Sequence, residues 1–247
     1  MRYVTARLSR FFFAGAMLAM ASISQVRADL VAGWDFQTTT NGGTALAAAP
    51  STPKQITANF GSGGLFLDGQ NGSSDWFVPA TGSTNTELNA FSGTSENTAG
   101  TDFSTVTSGP AALALVNQSA NGKSAVFRFS MAGFQDLVVS YASQRTSTGF
   151  DSQAWSFSTD GLNWTDHQSL VPPPSPFGVL TLNNITGLNN ATDAYLRLTV
   201  SGASTASGNN RLDNIQFNAT AVPEPTSMLL AGSVALGGVF LRLRRKR

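Results

Sequence analysis

Few residues of this 247-residue chain could carry out covalent chemistry. It has a single histidine, His167, and no cysteine. The absence of cysteine excludes a disulfide, a thiolate nucleophile and a thiolate metal site. A serine hydrolase would need a nucleophile elbow of the form G-x-S-x-G, which the sequence lacks. One imidazole is also a poor zinc site. We therefore predict no catalytic residue. Carboxylates brought together from distant strands, as in glycosidases, are the alternative that sequence spacing does not address.

Two pairs of residues are candidates for binding. Asp35 lies in the first predicted strand and Asp213 in the last. If those strands are neighbours, the carboxylates could share a structural Ca²⁺, which prefers oxygen ligands; the alternative is that both are ordinary turn or surface aspartates. Trp76 and Trp164 are candidates for stacking on a sugar ring, although tryptophan is also a common core residue.

Charge is distributed unevenly along the chain. Residues 29–222 contain six Lys or Arg against thirteen Asp or Glu, whereas the two ends are basic. An acidic central region has no electrostatic footprint for nucleic acid, so we predict no nucleic-acid partner. The basic ends are better explained as topology signals.

Alternating apolar and polar residues predict that the central region is all-β. Six segments show this pattern or a short apolar run: 31–36, 125–131, 136–141, 155–158, 195–200 and 212–217. Asp160 and Gly161 predict a hairpin turn after the fourth segment. Between residues 41 and 109, apolar patches at 65–67 and 76–78 predict short strands joined by long loops. No segment keeps a helical period over three turns.

The N-terminus has the three parts of a secretory signal. Residues 1–10 are basic, residues 11–23 are apolar, and small side chains at Val26 and Ala28 predict cleavage by signal peptidase between Ala28 and Asp29. An uncleaved membrane anchor is the alternative, but the apolar run is short for a span.

The C-terminal segment predicts a short transmembrane helix. Residues 228–241 are apolar and, at ~1.5 Å per residue, cover about 21 Å of a ~30 Å hydrocarbon core. A basic membrane stop follows and places the chain end in the cytoplasm; it consists of Arg242, Arg244, Arg245, Lys246 and Arg247. Pro223 and Pro225 disfavour helix just before the apolar run, which leaves Glu224 on extended chain where a membrane enzyme can reach it. A plain tail anchor is the alternative.

The sequence Val222-Pro223-Glu224-Pro225, the apolar helix and the basic end together resemble the PEP-CTERM sorting signal of Gram-negative bacteria. The resemblance covers about the last 25 residues. It implies recognition by an exosortase, cleavage near the motif and transient residence in the inner membrane. It also implies a place among surface proteins associated with exopolysaccharide and biofilm.

Residues 125–217 resemble galactose-binding-like jelly rolls. The resemblance lies in residues 134–141, in the sequence Phe-Ser-Thr-Asp-Gly-Leu-Asn-Trp at 157–164, and in Arg-Leu-Asp-Asn-Ile at 211–215. It implies a β-sandwich of the jelly-roll type. Lectins, adhesins and inert spacers share this fold, so the fold does not select a function.

The predicted organisation is a signal peptide with its helix (1–28), a β-sandwich ectodomain (29–221) and a sorting tail with one transmembrane helix (222–247). We predict a non-enzymatic protein of the cell surface or extracellular matrix. The first alternative is a calcium-assisted carbohydrate-binding lectin or adhesin, whose partner would be extracellular polysaccharide. The second is a secreted glycan hydrolase.

Overall fold

The computed structural model describes residues 28–40, 42–48, 52–79 and 85–223. Thirteen strands account for nearly all the regular structure. They are β1 (Ala28–Trp34), β2 (Gln55–Thr57), β3 (Phe60–Gly61), β4 (Gly63–Phe66), β5 (Leu88–Phe91), β6 (Ala112–Val116), β7 (Ser124–Phe129), β8 (Phe134–Arg145), β9 (Ser152–Ser158), β10 (Thr165–Leu170), β11 (Gly178–Ile185), β12 (Ala194–Ser201) and β13 (Asn209–Ala221). Within these ranges, helix is limited to three-residue 3₁₀ turns at Gln70–Gly72, Gln118–Ala120 and Thr186–Leu188.

The strands form two antiparallel sheets. The first sheet contains β11, β8, β13, β1 and β3 in that order, with β6 also paired to β13 and β5 paired to β6. The second sheet has the order β10-β9-β12-β7-β4-β2. Most neighbours within a sheet are distant in sequence, so the chain crosses repeatedly between the two sheets.

An aromatic core joins the inner faces of the sheets. Trp34 of the first sheet packs edge-on against Phe127 of the second, with ring centroids 5.0 Å apart, and Phe217 contacts both rings. The side chains of Trp34, Phe127 and Phe217 are fully buried. Strand alternation places Phe127 inward and the exposed Arg128 outward. The architecture is therefore that of a β-sandwich.

A second core cluster is polar as well as aromatic. The Tyr141 hydroxyl donates to Gln153 Oε1 at 2.7 Å and accepts from Trp155 Nε1 at 3.0 Å. Burial raises the pKa of the Tyr141 hydroxyl well above its usual value, and the Trp155 hydrogen bond opposes this only in part. The tyrosine therefore stays neutral and links β8 to β9 across the sandwich.

The structure confirms the all-β prediction and all six strand segments predicted by alternation. The hairpin prediction is also confirmed, since β9 pairs with β10 across the turn that holds Asp160 and Gly161. The strand predicted at residues 76–78 is wrong. Those residues are irregular, next to an isolated bridge between Asp68 and Asp75.

Among the described residues, no helix is long and apolar enough to cross a membrane. The predicted signal helix, the predicted transmembrane helix and the basic membrane stop lie outside the described residues.

Candidate functional site

Asp35 and Asp213 are brought together by the pairing of β1 with β13. Trp34, the last residue of β1, is opposite Ile215, so Asp35 follows directly beside the Asp213 segment. Here β13 changes its neighbour, because Leu212 is the last residue opposite β6 and Ile215 is the first opposite β1. Both aspartates are fully buried.

The carboxylate of Asp35 is held by four donors. Its Oδ1 accepts from the backbone N–H groups of Gln37 (3.0 Å) and Thr38 (2.9 Å). Its Oδ2 accepts from the Thr38 hydroxyl and from the Ser104 N–H at 2.9 Å. Hydrogen bonds of this kind replace the water lost on burial.

Asp213 is less well compensated. Its Oδ1 accepts from the Asn214 N–H at 2.9 Å and its Oδ2 from the Thr94 N–H at 2.8 Å. Burial raises the pKa of Asp213 to about 8; these two hydrogen bonds oppose the rise, and the Asp35 charge adds to it. A Cβ on Gly93 would lie 2.2 Å from Asp213 Oδ2, so glycine allows the loop backbone to reach the carboxylate.

The loop at residues 93–97 lies against Asp213 and Asn214. Asn214, in a left-handed conformation (φ 48°), donates from Nδ2 to the carbonyls of Thr94 and Glu96, both at 2.8 Å. Asn97 Nδ2 returns a bond to the Asn214 carbonyl at 2.8 Å. Asn214 Oδ1 is buried and has no hydrogen-bond partner in the described part of the chain. An unpartnered buried oxygen on the residue that follows Asp213 is a group that a cation would stabilise.

The donor set meets part of what Ca²⁺ requires. Two carboxylates and the Asn214 Oδ1 are hard oxygen ligands, and Ca²⁺ takes six to eight. No cluster of three or more His, Cys, Asp or Glu occurs within the described ranges, so carbonyl groups and water would have to complete the shell. Asp213 and Asn214 would be the main ligands, because each Asp35 oxygen already accepts two hydrogen bonds and each Asp213 oxygen only one.

The two tryptophans predicted to stack on a ligand differ in position. Trp76 is fully buried and its Nε1 donates to the Ser124 carbonyl at 2.9 Å; the prediction is wrong for this residue, because its ring is not accessible. Trp164 is half-buried, and the Arg197 guanidinium lies 4.2 Å from its ring centroid. An intramolecular partner therefore occupies one face of the Trp164 ring.

An open cleft of about 320 Å³ lies on the second sheet. Its lining includes Phe66 of β4, Arg128 of β7, and Ser130, Thr192 and Asp193 from the loops beyond. Sequence analysis missed this cleft, which we call the Phe66 cleft. Its residues come from three separate segments, and a lone phenylalanine in a short strand gives no sequence signal for a site.

The C-terminal end of β13 lies beside the start of β1. Ala28 is opposite Thr220, and Asp29 is opposite Ala219. Beyond β13, the Val222 N–H donates to the Gly133 carbonyl at 2.8 Å. Pro223 is exposed and is the last described residue, so Glu224 and Pro225 lie outside the described part.

Residues 221–246 match the family described as the PEP-CTERM protein-sorting motif. The chain carries a PEP-CTERM sorting tail. A tail of this family implies export and handling by an exosortase. The match confirms the resemblance seen in the sequence, and the PEP-CTERM tail begins where the hydrogen-bonded part of β13 ends.

No curated protein matches the chain. Several solved structures share parts of its fold. The CBM22-1–GH10 modules of Clostridium thermocellum xylanase 10B, complexed with xylohexaose, are 12% identical with a TM-score of 0.38, covering 56% of this chain and 25% of that one. The K2 cleaved adhesin domain of Lys-gingipain is 17% identical with a TM-score of 0.34, covering 53% and 82%. TmCBM61 in complex with β-1,4-galactotriose is 12% identical with a TM-score of 0.34, covering 60% and 94%. At such TM-scores nothing about function follows from the likeness.

Proposed function

We propose that this protein is exported, sorted by an exosortase, and placed at the cell surface or in the extracellular matrix, where it has a non-enzymatic role associated with exopolysaccharide and biofilm. The observation that carries the proposal is the PEP-CTERM match at residues 221–246, directly after a folded all-β domain. In this proposal signal peptidase removes residues 1–28, the jelly-roll ectodomain spans 29–221, and residues 222–247 hold the chain in the inner membrane until exosortase acts.

The experiment that tests sorting follows the mass and location of the protein in its host. Wild-type protein should leave the inner membrane with a mass that lacks both terminal segments. Deleting the host exosortase should leave a membrane-bound form that keeps the tail. Surface protein of unchanged mass in the deletion strain would show that exosortase does not process this chain.

A non-enzymatic role is supported by the burial of Asp35 and Asp213. The two acids that β1 and β13 bring together, Asp35 and Asp213, are both fully buried. A glycosidase needs its two carboxyl groups on either side of the scissile bond, which a buried pair does not permit.

A second candidate function is calcium-assisted carbohydrate binding, as a lectin or adhesin. The observation that favours it is the proximity of Asp35 to Asp213, together with the unpartnered Oδ1 of the adjacent residue Asn214. A cation there would fasten the 93–97 loop to the sheet and would hold the sandwich in one conformation. Glycan binding measured with calcium and with chelator tests this candidate, since loss in chelator is expected only if the ion supports the binding surface.

A further inference from the structure

The outer face of the second sheet is organised in rows across its strands. Gly64 of β4 is opposite Arg128 of β7, and Arg128 is opposite Tyr195 of β12. The next row places Phe66 opposite Val126 and Val126 opposite Arg197. Because Phe127 and Leu196 point into the core, the residues of these rows point outward.

Gly64 allows the Phe66 ring to lie down on the sheet. A Cβ built on Gly64 would be 2.9 Å from Phe66 Cε2 and 3.1 Å from Cζ. The Phe66 ring therefore covers the position that a side chain at residue 64 would occupy on the same face of the sheet. A ring in this position offers a face to a ligand, whereas a ring standing upright on the sheet would offer an edge.

The other aromatic rings of this face are already covered by arginine. Arg197 lies over Trp164, and Arg128 lies 5.7 Å from the Tyr195 ring centroid. Tyr195 is also 8% exposed, whereas Phe66 is half-buried. Among the described contacts, no arginine stacks on Phe66. Phe66 is thus the aromatic surface that this face leaves for a partner.

The polar groups next to Phe66 carry no net charge. Arg128 Nη2 and Nε both donate to Asp193 Oδ1, at 2.7 and 3.2 Å, and the two side chains are 47% and 51% exposed. The pairing leaves Arg128 Nη1 and Asp193 Oδ2 without a partner among the described hydrogen bonds. One donor and one acceptor therefore face a neutralised cleft that also presents the hydroxyl groups of Ser130 and Thr192.

We infer that the Phe66 cleft is a binding site for a short stretch of uncharged glycan. A pyranose ring has an apolar face of C–H groups for the Phe66 ring, and hydroxyl groups that accept from Arg128 and donate to Asp193. A volume of about 320 Å³ is at the lower end of ~300–1,000 Å³ for ligand sites. A charged glycan is disfavoured, because either charge would have to compete with the Arg128–Asp193 pair.

This inference rests on the carbohydrate binding of the second candidate function, without its calcium, and gives that binding a site. It differs from the sequence prediction, since neither Trp76 nor Trp164 supplies the main stacking surface. It does not depend on the Asp35–Asp213 pair, which lies on the other sheet.

The test measures binding of the exported protein, by titration calorimetry, to neutral oligosaccharides (xylohexaose, cellohexaose and β-1,4-galactotriose) and to an acidic one (oligogalacturonate). We expect micromolar to millimolar binding of at least one neutral glycan and weaker binding of the acidic one. Phe66→Ala should weaken neutral binding at least about tenfold, while Phe77→Ala, at an exposed phenylalanine (49%) outside the cleft, should not change it. Circular dichroism and melting curves confirm that both variants are folded.

A second variant tests the cleft independently, in case Phe66→Ala does not fold. Asp193→Asn removes a half-exposed charge and leaves Arg128 unpaired, so it should weaken neutral binding and strengthen acidic binding. Equal neutral binding by wild type and both cleft variants would overturn this site but leave the lectin function in place. No neutral binding by wild type at millimolar concentration would overturn both, and preference of wild type for the acidic glycan would overturn the proposed ligand class.

Discussion

Chelating calcium at mildly alkaline pH should destabilise the domain, and added calcium should reverse the loss. The reason is the Asp213 carboxyl, whose pKa is raised from 3.8 to about 8, mainly by burial. If this group ionises inside the folded protein without a cation nearby, the buried charge lowers the free energy of unfolding. Calcium would bind the ionised form and remove that cost.

The direction of the pH dependence follows from the two pKa values. Below about pH 3.8, Asp213 is protonated in both the folded and the unfolded chain and does not affect stability. Between about pH 3.8 and pH 8 the unfolded chain loses the proton and the folded chain keeps it, so the free energy of unfolding falls as pH rises. The folded and unfolded pKa values differ by about four. Since one pKa unit corresponds to ~1.4 kcal/mol, the free energy of unfolding falls by at most roughly 5–6 kcal/mol over this range. A loss of that size is comparable with the ~5–15 kcal/mol stability of typical domains.

The stabilisation expected from bound calcium can be compared with this loss of stability. Calcium at about one hundred times its dissociation constant adds ~2.7 kcal/mol. For a domain of this size ~1 kcal/mol shifts the melting temperature by roughly 2–4 °C, so several degrees are expected. Because protons compete with calcium for Asp213, the shift should be largest near pH 8.5 and small near pH 5.

The assay is thermal melting of the exported protein followed by circular dichroism, in calcium or in chelator, at both pH values. Asp213→Asn, which cannot titrate, should flatten the pH dependence and abolish the calcium shift, whatever its absolute stability. Asp193→Asn, a surface control, should retain both effects. Identical wild-type curves in calcium and chelator at both pH values would remove the calcium site. Stability that does not change between pH 5 and pH 8.5 in chelator would refute the argument from burial.

Four further outcomes are expected. The exported protein should begin at Asp29, and N-terminal sequencing that finds Met1 would contradict the predicted signal. Glu224→Ala should leave uncleaved protein in the inner membrane, and a variant that reaches the surface with wild-type mass would argue for simple anchoring or secretion. Tyr141→Phe should lower the free energy of unfolding by about 1–3 kcal/mol, because buried Gln153 and Trp155 lose a partner; denaturant unfolding measures this. The host's own exopolysaccharide should release no reducing sugar with the purified protein, and turnover abolished by replacing one Asp or Glu would reverse the non-enzyme assignment.

The fold class could be predicted because strand alternation is a local property. Residues 125–131 and 195–200 alternate cleanly, and both became central strands, β7 and β12. The failure at residues 76–78 has a physical reason: Trp76 is apolar because it fills the core from an irregular segment, with its Nε1 satisfied by Ser124. An apolar run by itself does not distinguish that situation from a strand.

The candidate sites could likewise be predicted only in part. That Asp35 and Asp213 lie together could be expected, since first and last strands pair, although their burial could not. The Phe66 cleft could not be predicted from the sequence, because it depends on the register between paired strands. Gly64 makes room for a ring two residues away, and Arg128 lies beside Gly64 only because β4 and β7 are paired in that register. No window of sequence contains these relations.

The position of the Phe66 cleft connects binding to sorting. Ser130 of the cleft precedes Met131, whose N–H donates to the Ala191 carbonyl, next to Thr192 of the opposite wall. Two residues further, Gly133 accepts from Val222 at the start of the PEP-CTERM tail. The cleft and Val222 therefore lie at the same end of the sandwich. If residues 222–247 hold the chain in the inner membrane, as proposed above, this end would face the bilayer and a polysaccharide would have little access to the cleft. Removal or transfer of the tail would free that end, so glycan binding through Phe66 would follow exosortase processing and would be confined to protein that has reached the surface.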